Sequence, residues 1–306
     1  MTHLVLTFYL IRPIENPFEV IKSFRVFMGS HDMKGRIYIN EGGINAQLSI
    51  LATQAPIFFD WYLRDRRFEK TRIQKTSCLE HVFPRKTVKY RKELVTLGRK
   101  VNLSKRGIDV GASQWRQMLD ERDKNTLILD VRNHYEWEVG HFEGAERPPC
   151  KTFSTFPRVI DQLKSRRDLE NTRVLMYCTG GIRCEFYSCL IKSEGCKQVY
   201  QLRGGVIGYG REVGNTHWKG SLFVFDDRLV VPISEQPYEI IGQCFRCNRK
   251  TDCYYNCANV GCNALFLACA MCYRALLGCC CLTCVHAPNR RQITDYTKAR
   301  PFRKHS

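Results

Sequence analysis

Three short apolar runs, Thr126–Leu129, Arg173–Tyr177 and Gln198–Leu202, are separated by stretches with helical spacing. Runs of this length read as buried strands, and strands that alternate with helices build a largely parallel sheet with helices on both faces. Helices are expected over Ser113–Leu119, with Ser113 as its cap, over Phe156–Lys164 and over Cys184–Glu194. In such sheets the chemistry gathers beyond the carboxyl ends of the strands. Asp130 closes the first run and Cys178 closes the second, so both are placed there. Residues 113–231 therefore read as a central α/β domain.

Two further regions flank it within the 306 residues. Residues 1–100 read as an α+β unit. Leu4–Leu10 is expected as a strand, Phe18–Phe27 as an amphipathic helix, Gly35–Ile39 and Ala46–Leu51 as a hairpin around Gly42-Gly43, and Ile57–Phe68 as a second helix. A cationic stretch follows with Arg85, Lys86, Lys89, Arg91, Lys92, Arg99, Lys100, Lys105 and Arg106. Interleaved Val88, Tyr90, Leu94, Val95 and Leu97 suggest a strand with one charged side, which suits either a phosphate backbone or a solvated edge. The whole chain carries 48 Lys and Arg against 30 Asp and Glu, a net charge of +18, and this tips the reading towards a polyanionic partner such as RNA. Residues 240–306 are cysteine-rich and end in a basic stretch.

Cysteine is the compositional outlier, at 17 residues. Met1–Pro13 has neither the basic start nor the small-residue cleavage site of an export signal, so a cytoplasmic chain is expected, its cysteines serving as metal ligands or redox groups. Eleven lie between Cys244 and Cys284, with Cys-x-x-Cys spacing at Cys244/Cys247 and Cys269/Cys272. Such knuckles suit tetrahedral zinc on four thiolates, and one or two ions are expected. One division is Cys244, Cys247, Cys257 and Cys262 for one ion, with Cys269, Cys272, Cys280 and Cys284 for the other; spacing permits an interleaved pairing equally. Ala264–Val285 is apolar, but Arg274 in its middle and its cysteines argue against a membrane span.

The strongest chemical signal is Cys178-Thr179-Gly180-Gly181-Ile182-Arg183. A strand delivers the cysteine to a tight turn, two glycines let backbone N–H groups curl inward, and a helix begins just after. N–H groups, helix dipole and Arg183 all favour a thiolate, so Cys178 reads as a nucleophile in an anion-binding nest. The loop resembles that of the rhodanese domain. Asp130-Val131-Arg132, Gly140-His141-Phe142-Glu143-Gly144-Ala145 and Gln201-Leu202-Arg203-Gly204-Gly205-Val206 resemble its other signatures. Four residues lie between Cys178 and Arg183, where the related tyrosine phosphatases have five, and the smaller nest suits sulfur better than phosphate.

A narrower resemblance covers nearly the whole chain. Met176–Glu185, with its second cysteine and glutamate, looks like the rhodanese-containing tRNA uridine hydroxylases. So do Lys34-Gly35-Arg36-Ile37, Glu41-Gly42-Gly43-Ile44-Asn45, Val224-Phe225-Asp226-Asp227-Arg228, Val231-Pro232-Ile233 and the cysteine-rich tail. The resemblance implies a ferredoxin-like N-terminal domain, a rhodanese-like central domain and a zinc-binding type of tail. It implies oxygen-dependent conversion of the wobble uridine (position 34) of tRNA to 5-hydroxyuridine, with Cys178 as the active cysteine and a persulfide on it by rhodanese analogy. Molecular oxygen and an unidentified electron donor would be needed, with the anticodon loop of tRNA as partner and no membrane. A sulfurtransferase carrying persulfide on Cys178 is the alternative. Cys178 and Arg183 are the expected catalytic residues, with Thr179, Gly180, Gly181, Ile182 and Cys184 in the loop and Asp130 and Arg132 supporting it. Arg85, Lys86, Lys89, Arg91 and Lys92 are the expected RNA contacts. The Cys178 thiolate could add to C6 of uracil and make C5 electron-rich, with Arg183 facing the charge at O4. Cys184 reads either as a resolving thiol or as a first-turn helix residue. No dinucleotide fingerprint and no His/His/carboxylate spacing is present, and His134, His141 and His217 read as structural.

Overall fold

The computed structural model describes residues 2–97, 100–147, 156–294 and 296. Expectations that fall on Arg99 and on the basic C-terminal end beyond Tyr296 lie outside them. The chain divides into two units, Met1–Lys100 and Val101–Ser306.

The first unit runs β1 (His3–Ile11), α1 (Pro17–Ser30), β2 (Met33–Asn40), β3 (Gly43–Leu51), α2 (Ala55–Arg64), β4 (Arg72–Cys78) and β5 (Lys86–Tyr90). The strand order is β4-β1-β3-β2-β5, antiparallel except where β5 runs parallel to β2, with the ferredoxin-like β4-β1-β3-β2 at its heart. Alternation decides which face is buried. Leu6, Phe8, Ile37, Ile39, Ala46, Leu48 and Ile50 point to one side, where Val20, Ile21, Phe24 and Phe27 of α1 and Phe58 and Tyr62 of α2 cover them. Asn16 caps α1 by accepting from the Glu19 N–H, and Pro17 opens the helix where a missing N–H costs nothing. The second helix stops at Arg64 rather than continuing to Phe68. Asp65 accepts from both the backbone N–H and the guanidinium of Arg67, which turns the chain, and Phe68 instead stacks on Tyr62. The cationic strand is shorter than its sequence suggested: β5 ends at Tyr90, and Asn40 ties the carbonyls of Arg91 and Lys92 as the chain leaves the sheet.

The second unit runs β6 (Ile108–Val110), α3 (Ala112–Asp120), β7 (Thr126–Asp130), α4 (His134–Val139), β8 (Gly140–Phe142), α5 (Phe156–Arg166), β9 (Arg173–Tyr177), α6 (Ile182–Ser193), β10 (Gln198–Leu202) and α7 (Gly205–Val213). Strands β6-β10-β9-β7 form a parallel sheet. Trp115 of α3 and Val206 and Tyr209 of α7 share a core with Ile128, Leu175, Tyr177 and Leu202 of the strands. Ser113 does not cap α3: the helix opens one residue earlier, and Gly111 holds the N-cap position without a side-chain bond. Short strands β11 (Trp218–Gly220), β12 (Leu222–Phe223) and β13 (Val230–Val231) lead to the cysteine-rich region. That region holds a hairpin, β14 (Tyr254–Asn256) with β15 (Leu265–Leu267), and two short helices, α8 (Ala270–Ala275) and α9 (Leu282–Val285). Tyr254 anchors it to α4, donating to the Tyr135 carbonyl at 2.7 Å and to the Glu138 carboxylate at 3.0 Å.

Candidate active site

Strand β9 ends at Tyr177, and Cys178 is the first residue beyond it. The chain then turns back through Gly181, whose φ of 106° is one that side chains rarely adopt, and α6 starts at Ile182, two residues earlier than its spacing predicted. This turn aims the Gly181 N–H at the Cys178 sulfur at 3.1 Å. Cys178 is 0% exposed. Burial alone would push its thiol up. A hydrogen bond from the Cys184 thiol, the charge of Arg183 and the N–H groups of Gly181 and Arg183 outweigh that and bring it down to about 6. Cys184 moves the opposite way, far above an ordinary thiol, because it is buried beside the Cys178 charge. Of the two cysteines, Cys178 is thus the more acidic and Cys184 the one favoured as a thiol.

Arg183 is aimed by a residue that its motif did not include. Both its terminal nitrogens donate to the Glu136 carboxylate, at 2.7 and 2.8 Å, and Thr179 donates to the same group at 2.7 Å. Glu136 is 0% exposed. It sits in α4 as the third residue of a capping box with Asn133, a signal present in the sequence as Asn133-x-x-Glu136. Burial would raise its carboxyl, and Arg183 holds it below the usual range. Phe225 lies against the other side of the Arg183 guanidinium, 5.7 Å to the ring centre. With both ends of its fork committed to Glu136, Arg183 acts on Cys178 through its charge and its backbone N–H.

Asp130 and Arg132 form a brace under the loop. Arg132 donates twice to Asp130, at 2.9 and 2.6 Å, and once to the Gly140 carbonyl at 2.6 Å, while Tyr177 donates to Asp130 at 2.8 Å. The loop's own carbonyls are held from α7: Val206 N–H donates to Cys178 O and Ile207 N–H to Thr179 O. A side chain at Gly205 would lie 2.5 Å from both oxygens, so only glycine allows α7 so close. Glu185, part of the wider motif, pairs with Arg106 and fastens the entry to the sheet onto α6.

Comparison with known proteins agrees with this layout. Residues 3–94 match the UPF0176 acylphosphatase like domain, residues 112–212 the rhodanese-like domain, and residues 219–285 the family described as rhodanase C-terminal. The tRNA uridine(34) hydroxylase of Protochlamydia amoebophila is 46% identical over 98% of this chain and 93% of its own. That of Chlamydia pneumoniae is 44% identical over 98% of this chain and 92% of its own. The chain belongs to the tRNA uridine(34) hydroxylase family. Among solved structures, the rhodanese-like domain of an Anabaena sp. protein is 18% identical over 47% of this chain and 98% of its own, with a TM-score of 0.32.

The eight cysteines expected as ligands do gather in fours, but the sequential division is wrong and the interleaved one is found. Cys244, Cys247, Cys269 and Cys272 form one set, and Cys257, Cys262, Cys280 and Cys284 the other. The hairpin is the reason. Cys269 and Cys272 follow β15 and so return to the open end of the hairpin, beside the knuckle that precedes β14, where Phe245 N–H meets Leu267 O. Cys257 and Cys262 lie in its loop and are met by α9 and the turn before it. A tetrahedron with Zn–S arms of about 2.3 Å sets its sulfurs about 3.8 Å apart. The sulfurs of Cys247 and Cys269 are 3.7 Å apart, those of Cys262 and Cys280 3.7 Å, and those of Cys280 and Cys284 3.9 Å. The donor sets therefore fit a thiolate-bound ion. All eight thiols are free of disulfides.

The expected RNA contacts have divided duties. Lys86 donates to the carbonyls of Met28 and His31 and so closes the C-terminal end of α1, and Arg91 lies 4.9 Å over the Tyr38 ring. Arg85, Lys89 and Lys92 are exposed. Of the histidines, His141 stacks on Trp137, His217 pairs with Asp120 and His134 with Glu138. A His/His/carboxylate group invisible in the spacing exists in the first unit, where His3, Asp32 and His81 converge. Both ring nitrogens of His81 are already engaged there, by Ser49 at 2.9 Å and Asp32 at 3.0 Å. Among the described residues, no helix is long and apolar enough to cross a membrane.

Proposed function

We infer that this protein hydroxylates uridine 34 of tRNA, giving 5-hydroxyuridine in the cytoplasm. The identity to named hydroxylases over nearly the whole of both chains carries this reading. Cys178 is the nucleophile in it. Its thiolate, held by Cys184, Arg183 and two N–H groups, adds to C6 of uracil. C5 then carries the electron density, with the charge spread to O4. One atom of molecular oxygen goes to C5 and the other leaves as water, with two electrons and two protons supplied by a reductant. Loss of the C5 proton and expulsion of the Cys178 thiolate restore the 5,6 double bond. Arg183, committed to Glu136, serves as a fixed charge that keeps Cys178 ionised for both addition and departure. The anticodon loop is the substrate segment, because its bases are already partly unstacked and leave the stack at low cost.

The two cysteine sets hold zinc, one ion each, as closed structural sites. Bound there, zinc supplies folding energy to the tail and no open position for chemistry.

Nucleoside mass spectrometry on tRNA incubated with the protein in air tests the reading. A uridine species heavier by one oxygen, made by the wild type and absent with Cys178→Ala, is expected. Product from Cys178→Ala sinks the covalent step. Unmodified tRNA with brisk thiosulfate sulfur transfer identifies a sulfurtransferase instead, the reading that a lowered thiol in a rhodanese-like loop also supports.

A further inference from the structure

We propose that the helix-free face of the first unit's sheet is a binding site for single-stranded RNA, with Tyr9 and Tyr38 as its base-stacking positions. This rests on the tRNA reading above and names the surface that would hold the substrate.

The register builds the site. Residues that alternate with the core positions point away from α1 and α2. Tyr9 pairs with Asn45 and Asn45 with Tyr38, so these three lie in one row across the three central strands. Arg72 continues the row beyond Tyr9 and Lys89 continues it beyond Tyr38. The row thus reads cation, aromatic, amide, aromatic, cation. Neighbouring strands are about 4.8 Å apart, which sets the two tyrosines about 10 Å apart with Asn45 between them. Two splayed bases have room, and an amide offers a donor and an acceptor to a base edge. In the next row Arg36 reaches Gln47 at 3.4 Å, and the Arg91 guanidinium lies over one face of the Tyr38 ring, 4.9 Å from its centre, so a base would stack on the other face.

Three observations single out RNA as the occupant. The five strands contain no Asp or Glu, and the acid at the end of this face where Ser49 lies, Asp32, is paired with His81. The helical side of the sheet is filled by its own core, whereas on this face, among the described residues, a small apolar cluster of Val5, Cys78, Val82 and Phe83 covers one end. Tyr9, Asn45 and Tyr38 are half-buried, with Arg72 and Lys89 exposed at the two ends of the row. A merely cationic patch would suit any polyanion. Aromatic rings flanked by cations suit unpaired bases, whose faces a duplex hides.

The test uses the full-length protein and an anticodon stem-loop hairpin, with a duplex of equal length and an acidic peptide as competitors. Tyr9→Leu and Tyr38→Leu are each expected to weaken hairpin binding by roughly 5- to 100-fold. Tyr38→Phe, which keeps the ring, is expected to bind as the wild type does. A hairpin carrying 4-thiouridine in its loop is expected to crosslink to the β1 or β2 peptide of the unmutated protein, so the answer does not depend on whether a variant folds. Leucine variants that bind within twofold of wild type, crosslinks confined to Val101–Ser306, or equal competition by the duplex or the peptide overturns the proposal. Hydroxylated product together with crosslinks elsewhere leaves the enzyme reading intact and removes this face. Crosslinks on β1 or β2 without product keep the face and remove the hydroxylase.

Discussion

Replacing Cys184 by alanine takes away the donor that contributes most to keeping Cys178 ionised. Cys178 stands at about 6 against an ordinary 9.0, a factor of about 1000 in the ionisation constant and about 4 kcal/mol in favour of the thiolate. A hydrogen bond to a charged acceptor accounts for about 1.5–3 kcal/mol, or about one to two pH units at 1.36 kcal/mol each. The variant's Cys178 should therefore titrate between about 7 and about 8, with Arg183 and the two N–H groups holding the remainder. Alkylation by iodoacetamide as a function of pH, followed on the Cys178 peptide by mass spectrometry, reads this directly. A midpoint unchanged near 6 would refute the assignment of Cys184 as the donor. The same shift ties stability to pH. The thiol is depressed on folding, so its contribution is complete above the unfolded value of about 9 and is lost as pH falls through about 6. In Cys184→Ala the lower edge of that window should move up with the thiol, which urea midpoints measured across the range would show.

Glu136→Gln leaves Arg183 as a buried cation without its counter-charge, and a loss of about 3–5 kcal/mol is expected in urea unfolding. Adding Arg183→Met should recover part of that stability while Cys178 loses its low titration midpoint. Gly205→Ala drives a methyl into the carbonyls of Cys178 and Thr179 and should lower the melting temperature. Gly144→Ala, also at positive φ but with open space around it, is the control for backbone strain alone. Plasma emission spectrometry should find about two zinc ions per chain, and Cys269→Ser should lose the ion of the first set while keeping Cys257, Cys262, Cys280 and Cys284 as ligands for the second.

Much of this could be read from the chain itself, where local rules carry local structure. The apolar runs at Thr126, Arg173 and Gln198 gave parallel strands because a fully buried strand needs little beyond length and apolarity. The loop from Cys178 to Arg183 was legible because glycine spacing, strand end and helix start are all local. Glu136 was equally local, as the third residue of a capping box, but a capping box announces a helix start and says nothing of the arginine it will meet 47 positions later. Phe225 against Arg183 and Gly205 against the loop carbonyls depend on tertiary approach, which spacing does not encode. Spacing left the division of the cysteines undecided for a related reason. Consecutive knuckles look like partners until a hairpin brings the first and third together. Lys86 shows the limit of charge counting: within a basic stretch that suggested RNA, its ammonium closes the end of a helix.

The order of the cysteines also bears on how the chain is made. Synthesis releases the polypeptide from its N-terminal side, and regions fold as they become complete. Had the ligands been consecutive, a nascent chain could have trapped its first ion as soon as Cys262 emerged. With the sets interleaved, the first is complete only at Cys272 and the second at Cys284. Until then the ribosome displays half-built thiolate sets that compete for any thiophilic ion or oxidant present. A tail that binds one ion per set would therefore take up both late and close together, after the loop that carries Cys178 has already had time to close.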